Sequence, residues 1–337
     1  MPRAVILGGT GQIGFAAARR LVTEGWDVTI ASRHVTPLPD GCRHETVDSR
    51  DAGSLAAAVG PAADLLLSCV AFDSTDAQHL AEAGRKAGRI VAISSASVYR
   101  DAAGRTLDEA AECGFPNYPV PLTEQSMTLD PGPETYSTRK AAMEKTLLDR
   151  APCPVTILRP CAIHGPQSKH AREWWFVKRV LDGRRTIPLA YHGRSRFQTT
   201  SADAIADAVV RAVAEELPMI ANVSDADSPT VAEIGRTVMT IMEAEAELVG
   251  LPDEPFPPKF GATPWSLPRP MVCSAAATGR QTYAGSVTPA VKWLVDTIPS
   301  DGWPRFLPQL AAYPNDHFDY DIDDRALSVP GAAPLAA

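Results

Sequence analysis

Nothing in these 337 residues reads as a metal centre or a disulfide framework. The six cysteines (Cys42, Cys69, Cys113, Cys153, Cys161 and Cys273) lie far apart, with no C-x-x-C pair and no zinc-like spacing among them and the histidines. Reduced, mostly buried thiols and no metal are therefore expected. No stretch approaches the roughly 20 apolar residues that a membrane-spanning helix needs. The longest aliphatic runs, such as Asp64 to Phe72, are strand-length, so no membrane association is expected. A charged leader with an apolar core and a cleavage site is also missing ahead of the first strand, which makes a cytoplasmic location the expectation. Positive charge is in deficit: 32 Lys and Arg against 40 Asp and Glu leave a formal net charge of −8. That balance disfavours polyanion binding through net charge, and nucleic acid is not an expected partner.

What the sequence does contain is alternation. From Arg3 to Cys161, short β-branched or aliphatic runs exchange with longer alanine-rich stretches of helical spacing, which is how βαβ units read. The strands are predicted at Ala4–Leu7, Val28–Ala31, His44–Val47, Leu65–Cys69, Ile90–Ser94 and Val155–Arg159. Helices are predicted at Ile13–Glu24, Ala52–Val59, Ala77–Gly88 and Thr135–Arg150. Near-continuous apolar strands such as AVIL and LLLSCV imply a parallel sheet covered on both faces. The fold class is therefore α/β, a Rossmann-type doubly wound sheet. After Pro160 the pattern is less regular, with helices predicted at Arg172–Leu181 and Ala202–Glu216 and a short strand at Ile220–Val223. Leu251 to Pro270 is dense in proline and is expected to be irregular. From about Asp316 the chain is acidic and then small and apolar, and is expected to be a loose tail.

Directly after the first strand comes Gly8-Gly9-Thr10-Gly11-Gln12-Ile13-Gly14, followed at once by a helical pattern. Glycine suits a turn whose backbone N–H groups approach a pyrophosphate while the helix packs closely on the strand, and the helix N-terminus adds partial positive charge. Gly8, Thr10, Gly11, Gln12, Ile13 and Gly14 are thus candidate dinucleotide contacts. An NAD-selective site usually carries an acidic residue at the end of the second strand. Here that place reads Ala31-Ser32-Arg33-His34, with no carboxylate, and Arg33 is suited to the 2′-phosphate of NADP. NADP(H) is accordingly the preferred cofactor and NAD(H) the other possibility, while a solvated loop arginine is the bland alternative. Asp48, just past the third strand, is placed to meet the adenine edge, or is a surface carboxylate.

Tyr136-Ser137-Thr138-Arg139-Lys140 opens a helix, so Tyr136 and Lys140 lie four residues apart on one face. A free tyrosine, with a pKa of about 10, is a poor base, but a nearby ammonium favours its phenolate. Tyr136 could then exchange a proton with a substrate hydroxyl or carbonyl. The fifth strand ends in Ser95-Ala96-Ser97-Val98-Tyr99, at the edge where open α/β sheets bind ligands. A serine there can hydrogen-bond the reacting oxygen, although serines are also ordinary turn residues.

GGTGQIG, ISSASVY, YSTRK and LRPCAIHGP, in this order, resemble the extended short-chain dehydrogenases, the group of NAD-dependent epimerases, dehydratases and sugar-nucleotide reductases. The resemblance covers about Arg3 to Val223 and, more faintly, a terminal helix around Tyr283 to Val295. It implies Ser95 as the hydroxyl that orients the substrate oxygen and Tyr136 as acid/base. It also implies that Lys140 binds the nicotinamide ribose and lowers the tyrosine pKa. Ser95, Ala96, Ser97 and Arg196 become the candidate substrate contacts, Arg196 matching an arginine aimed at a substrate diphosphate. The implied organisation is a dinucleotide domain of residues 1–168 plus about 195–228 and a smaller substrate lobe of about 169–194 plus 229–315. The resemblance further implies a homodimer.

Where the related 4,6-dehydratases carry an Asp-Glu pair after the catalytic hydroxyl, this chain has Ala96-Ser97, which argues against water elimination. The expected activity is hydride transfer at a secondary alcohol or ketone of a sugar-like or nucleotide-sugar substrate. The alternatives are an NADPH-dependent reductase of a non-sugar ketone and a non-catalytic cofactor-sensing or RNA-associated protein. Between Ser95 and Tyr136 the connection is long, and its segment Cys113 to Pro121 reads either as a lid or as a surface insertion. Trp174, Trp175 and Phe176 are read as core, His164 is given no catalytic role, and Arg184 and Arg185 are read as a solvated helix end.

Overall fold

The computed structural model describes residues 1–35, 37–253, 259–314 and 316–336. In chain order it contains β1 (Arg3–Leu7), α1 (Gln12–Thr23), β2 (Asp27–Ser32), β3 (Cys42–Thr46), α2 (Ala52–Val59), β4 (Ala63–Ser68), α3 (Ser74–Ala83), β5 (Ala87–Ile93), α4 (Ala110–Cys113), α5 (Tyr136–Arg150) and β6 (Val155–Pro160). There follow β7 (Ala162–His164), α6 (Trp174–Leu181), β8 (Thr186–Leu189), β9 (Thr199–Ser201), α7 (Ala202–Val213), β10 (Ile220–Val223), α8 (Val231–Ile241) and β11 (Glu247–Gly250). The last elements are α9 (Tyr283–Ser286), α10 (Thr288–Thr297), α11 (Pro308–Ala311), α12 (Tyr320–Ala326) and β12 (Ala333–Pro334). Two compact units result, the first made of Met1–Cys161, Ala202–Ser224 and Cys273–Arg280, the second of Ala162–Ser201, Asp225–Val272 and Gln281–Ala337.

The first unit is built on a seven-stranded sheet of order β10-β6-β5-β4-β1-β2-β3, parallel at every pairing. Its central strands are aliphatic because both faces are covered. Val5, Leu7, Leu66, Ile90, Ala92 and Ile157 pack with Leu55, Leu80, Met143 and Leu147 of α2, α3 and α5. Ala4 and Ile6, pointing the other way along the pleat, are equally buried, and α1 packs against α7, where Arg19 pairs with Asp203 at 2.8 Å. The helix predicted to run to Gly88 stops at Ala83, and Ala87 already begins β5. Gly88 lies flush on the neighbouring strand, where a Cβ would come within 2.9 Å of the Asp64 carbonyl oxygen. The chain order reverses between β4 and β1, the switch point at which sheets of this kind bind ligands.

The second unit packs α6, α8 and α10 around Trp174, Trp175, Phe176, Val238, Trp265 and Leu294, so the aromatic stripe is core. It carries a three-stranded sheet of order β12-β11-β8 and the strand pair β7-β9. That pair takes residues 162–168 and 195–201 away from the dinucleotide domain to which the sequence reading gave them, and Cys273–Arg280 joins that domain instead. The expected terminal helix from Tyr283 to Val295 breaks at Val287, the N-cap of α10, whose first turn carries Pro289. The tail, expected to be loose, is ordered. Asp319 caps α12, and the Asp323 carboxylate meets buried Arg179 at 3.0 Å, whose guanidinium lies 3.4 Å from the Trp175 ring centroid. Of the proline-dense stretch, residues 254–258 lie outside the described residues.

Candidate active site

The glycine loop leaves β1 in a conformation that side chains resist. Gly8 has φ +78°, and a Cβ there would lie 2.4 Å from Val70 Cγ1 and 3.5 Å from Cys69 Cβ. Gly14, one turn into α1, approaches so closely that a Cβ would lie 2.5 Å from the Gly8 carbonyl oxygen. Gly11 is the N-cap of α1 and brings no side chain to close its first turn. The loop is thus a backbone cradle at a helix N-terminus, built as a phosphate requires.

From the cradle, covalent neighbours lead to α5. Cys69 and Val70, which press on Gly8, are followed by Ala71, whose carbonyl oxygen accepts a hydrogen bond from Lys140 Nζ at 2.8 Å; the Ile93 carbonyl, at the end of β5, accepts another at 3.0 Å. Burial of this ammonium lowers its pKa to about 8, against the opposing influence of Cys69, Glu144 and Asp76. Burial likewise pushes the Cys69 thiol up to about 12, with Lys140 opposing. α5 begins at Tyr136 because Thr135 and Thr138 form a reciprocal cap. Tyr136 is 43% exposed and packs against Phe72 with ring centroids 5.4 Å apart. Ser95 Oγ accepts the Ser97 backbone N–H at 3.1 Å, and its hydroxyl is near enough to Tyr136 to favour the phenolate.

The sequence reading expected Lys140 to depress the Tyr136 pKa. Among the protein's own groups the phenol is instead held above its ordinary value, by burial first and by the Asp108 carboxylate, with the Ser95 hydroxyl opposing. The reason is geometric: two carbonyl oxygens fix the Lys140 ammonium 6.0 Å from the centroid of the tyrosine ring.

The other candidates are more dispersed. At the end of β2, the Ser32 hydroxyl donates to the His34 carbonyl at 2.9 Å and lies 2.9 Å from His44 Nε2, while Arg33 is exposed. Asp48 is exposed, and its Oδ1 accepts the Arg50 N–H at 3.0 Å. Ala96 is buried, and among the described residues the buried Ser97 hydroxyl has no partner. Arg196 belongs to the second unit, where it is exposed and its backbone bridges to Thr230. His164, also in the second unit, is buried against Asp225 Oδ2 at 2.9 Å. Arg184 pairs with Asp324 rather than standing free. Among the described residues, no group of three or more His, Cys, Asp or Glu side chains could hold a metal ion, and no helix is long and apolar enough to cross a membrane.

Several residues of the site escaped the sequence reading. Phe72 walls Tyr136, and a buried network braces α5 from below. Ser94 Oγ and Arg159 Nε both reach Glu144 Oε1, at 2.5 and 3.0 Å, and Arg159 also donates to the Tyr99 hydroxyl at 3.0 Å. Tyr99 in turn donates to Asn222 Oδ1 at 2.7 Å. The one signal available was spacing: Glu144 stands one turn beyond Lys140 on the same face.

Comparison with known proteins matches residues 4–224 to the model of the NAD dependent epimerase/dehydratase family. No curated protein matches the chain. Among solved structures, it is similar to UDP-N-acetylglucosamine 4-epimerase from Methanobrevibacter ruminantium M1 in complex with UDP-N-acetylmuramic acid, with a TM-score of 0.67 and 16% identity over 88% of this chain and 99% of that one. It is also similar to the Bordetella bronchiseptica enzyme WbmG in complex with NAD and UDP (TM-score 0.65, 18% identity, 87% and 94% covered). A third is UDP-glucuronic acid 4-epimerase from Bacillus cereus in complex with UDP-glucuronic acid and NAD (TM-score 0.63, 14% identity, 87% and 99% covered).

Proposed function

The chain belongs to the NAD dependent epimerase/dehydratase family, and on that premise we propose that it is a nicotinamide-dependent enzyme of the extended short-chain dehydrogenase type acting at a secondary alcohol or ketone of a nucleotide-sugar. The observation that carries this reading is the placement of Tyr136 at the start of a helix whose Lys140 is tied through Ala71 to the strand end that presses on the glycine loop, with the Ser95 hydroxyl near enough to favour the phenolate. The residues fit a dinucleotide, because Gly8 and Gly14 let the loop fold tightly where Cβ atoms would clash, and Gly11 leaves the N-terminus of α1 uncovered by any side chain. When bound, the nicotinamide supplies the hydride acceptor and donor.

The chain's own part is proton handling and orientation. Ser95 fixes the substrate oxygen and the Tyr136 hydroxyl relative to each other. Tyr136, whose phenol is held protonated at neutral pH, gives its proton to a carbonyl oxygen as the carbon is reduced and takes it back in the reverse direction. Lys140 is held by two carbonyls at a fixed height beneath the ring, in position to meet a ribose hydroxyl. The absence of a carboxylate at Ala96-Ser97 favours epimerisation or oxidoreduction over dehydration.

A second reading, an NADPH-dependent reductase, is favoured by exposed Arg33 at the end of β2, where no acidic residue stands. One experiment separates the two and tests the first. Freshly purified protein is denatured, any released nucleotide is identified by mass spectrometry, and the emptied protein is titrated with NAD(H) and NADP(H). Tightly held NAD supports an epimerase; empty protein preferring NADPH supports the reductase. Tyr136→Phe should then lose roughly 100-fold or more in turnover and keep cofactor affinity. Unimpaired turnover in that variant would remove Tyr136 from the chemistry.

A further inference from the structure

The long connection from Arg100 to Thr135 brings a carboxylate to the catalytic helix. Its start is organised by Asp101, which is buried and accepts the backbone N–H groups of Ala103, Arg105 and Asn117 and the Arg105 Nε–H, all at 2.9 Å. Its far end is pinned where Leu129 donates to the Val98 carbonyl at 2.8 Å and Arg100 to the Met127 carbonyl at 3.0 Å. Between these anchors, buried Thr106 accepts the Asp108 N–H at 3.1 Å and donates to Glu109 Oε2 at 2.8 Å. Asp108 is thereby delivered to α5, where its Oδ2 accepts the N–H of Ser137, the residue after Tyr136, at 3.0 Å. Asp108 is exposed, and among the described residues its Oδ1 has no hydrogen-bond partner.

We propose that Asp108 is a substrate-selecting carboxylate, whose free oxygen accepts a hydrogen bond from a hydroxyl or ammonium group beside the reacting carbon and whose charge rejects a carboxylate there. This rests on the reading of Tyr136 as the acid/base. Three features support the assignment. The carboxylate is fixed by its other oxygen, so little freedom is lost when it binds a donor. It is close enough to Tyr136 to oppose ionisation of the phenol. It comes from the long connection rather than the parallel sheet, so it can differ between proteins that share the same chemistry.

The test compares wild type with Asp108→Asn, which keeps an oxygen for Ser137 and removes the charge. The substrates are neutral, amino-bearing and carboxylate-bearing UDP-hexoses, and kcat/KM is measured for each. The ratio of neutral or amino over carboxylate-bearing substrate should fall about tenfold in the variant, chiefly through KM; an unchanged ratio overturns the proposal. Independently, the Tyr136 phenol, followed by tyrosinate absorbance with Tyr136→Phe as the blank, should titrate at lower pH in Asp108→Asn. An unmoved titration shows that the carboxylate does not act at the site and also overturns the proposal, including where no member of the panel is turned over. Failure of the Tyr136 reading is separable: Tyr136→Phe would then retain turnover, whatever Asp108→Asn does to the ratio.

Discussion

Alanine at Gly14 and alanine at Gly11 are the same chemical change three residues apart, and the loop geometry gives them opposite consequences. At Gly14 a Cβ would meet Gly8 O at 2.5 Å, Gly9 Cα at 2.6 Å and the Gly8 carbonyl carbon at 2.9 Å. All three are backbone atoms that no rotamer change can remove, so the loop and α1 must separate, at roughly 1–3 kcal/mol for overpacking. Better helix propensity returns up to about 1 kcal/mol of that. Taking about 2 kcal/mol, the middle of that range, against about 1 kcal/mol returned, the net loss is ~1 kcal/mol and should lower the melting temperature by roughly 2–4 °C. At Gly11 the nearest atom is Gly8 O at 3.5 Å, an ordinary contact, and φ −87°, ψ 166° is open to any residue. Gly11→Ala should therefore melt within about 0.5 kcal/mol of wild type. Its methyl group would nonetheless stand where a pyrophosphate approaches the backbone, and dinucleotide affinity should fall about tenfold or more, ~1.4 kcal/mol. Thermal melts and NAD(H) and NADP(H) titrations of both variants check this. A Gly11→Ala protein with full affinity for both, or a Gly14→Ala protein melting with wild type, refutes the cradle.

Three further outcomes follow from named groups. Lys140 titrates at about 8 when folded against an ordinary 10.5. Below pH 8 both states carry the proton and the burial penalty is complete; between pH 8 and 10.5 the unfolded chain holds more protons, so this group raises stability as pH rises, by about 3 kcal/mol in all. Chemical denaturation across that range should show the rise in wild type relative to Lys140→Met, and parallel curves would count against it. Asp101→Ala should cost about 2 kcal/mol or more by stranding the donors it collects, and should expose the Arg100–Thr135 connection to limited proteolysis; the same cleavage pattern as wild type would contradict it. Asp323→Ala leaves the Arg179 guanidinium buried without its partner and should cost roughly 3–5 kcal/mol, read as a lower denaturation midpoint, whereas an unchanged midpoint would mean that α12 contributes nothing.

The parallel sheet was legible because strands covered on both faces must be aliphatic along their whole length, as Leu65–Leu67 and Ile90–Ala92 are. The glycine loop and the pairing of Tyr136 with Lys140 were legible because each is local, set by turn and helix geometry within a few residues. Helix α8 left a signal that went unread: Thr230 and Glu233 form a reciprocal cap just before an apolar periodic run. The tail and the connection carrying Asp108 were not legible in this way. α12 is acidic on its own and meets Arg179, 144 residues earlier; Asp108 reaches α5 through a backbone that Asp101 gathers around itself. Partners so distant in sequence leave no periodicity behind.

The division into units also bears on biosynthesis. The second unit's small sheet joins β8, β11 and β12, segments that begin at residues 186, 247 and 333, and the Leu335 N–H closes on the Leu248 carbonyl at 2.8 Å. The first unit likewise includes Cys273–Arg280, where Ser274 donates to the Leu122 carbonyl at 2.7 Å. On the ribosome, the first unit cannot complete itself until most of the second has been made, and the second waits in turn for β12, which emerges after the whole of the first. Such a chain spends the late part of translation with unfinished sheet edges, the state in which exposed strands associate with other molecules, so its yield in a cell should depend on elongation rate and chaperone supply more than the stability of the finished fold would suggest.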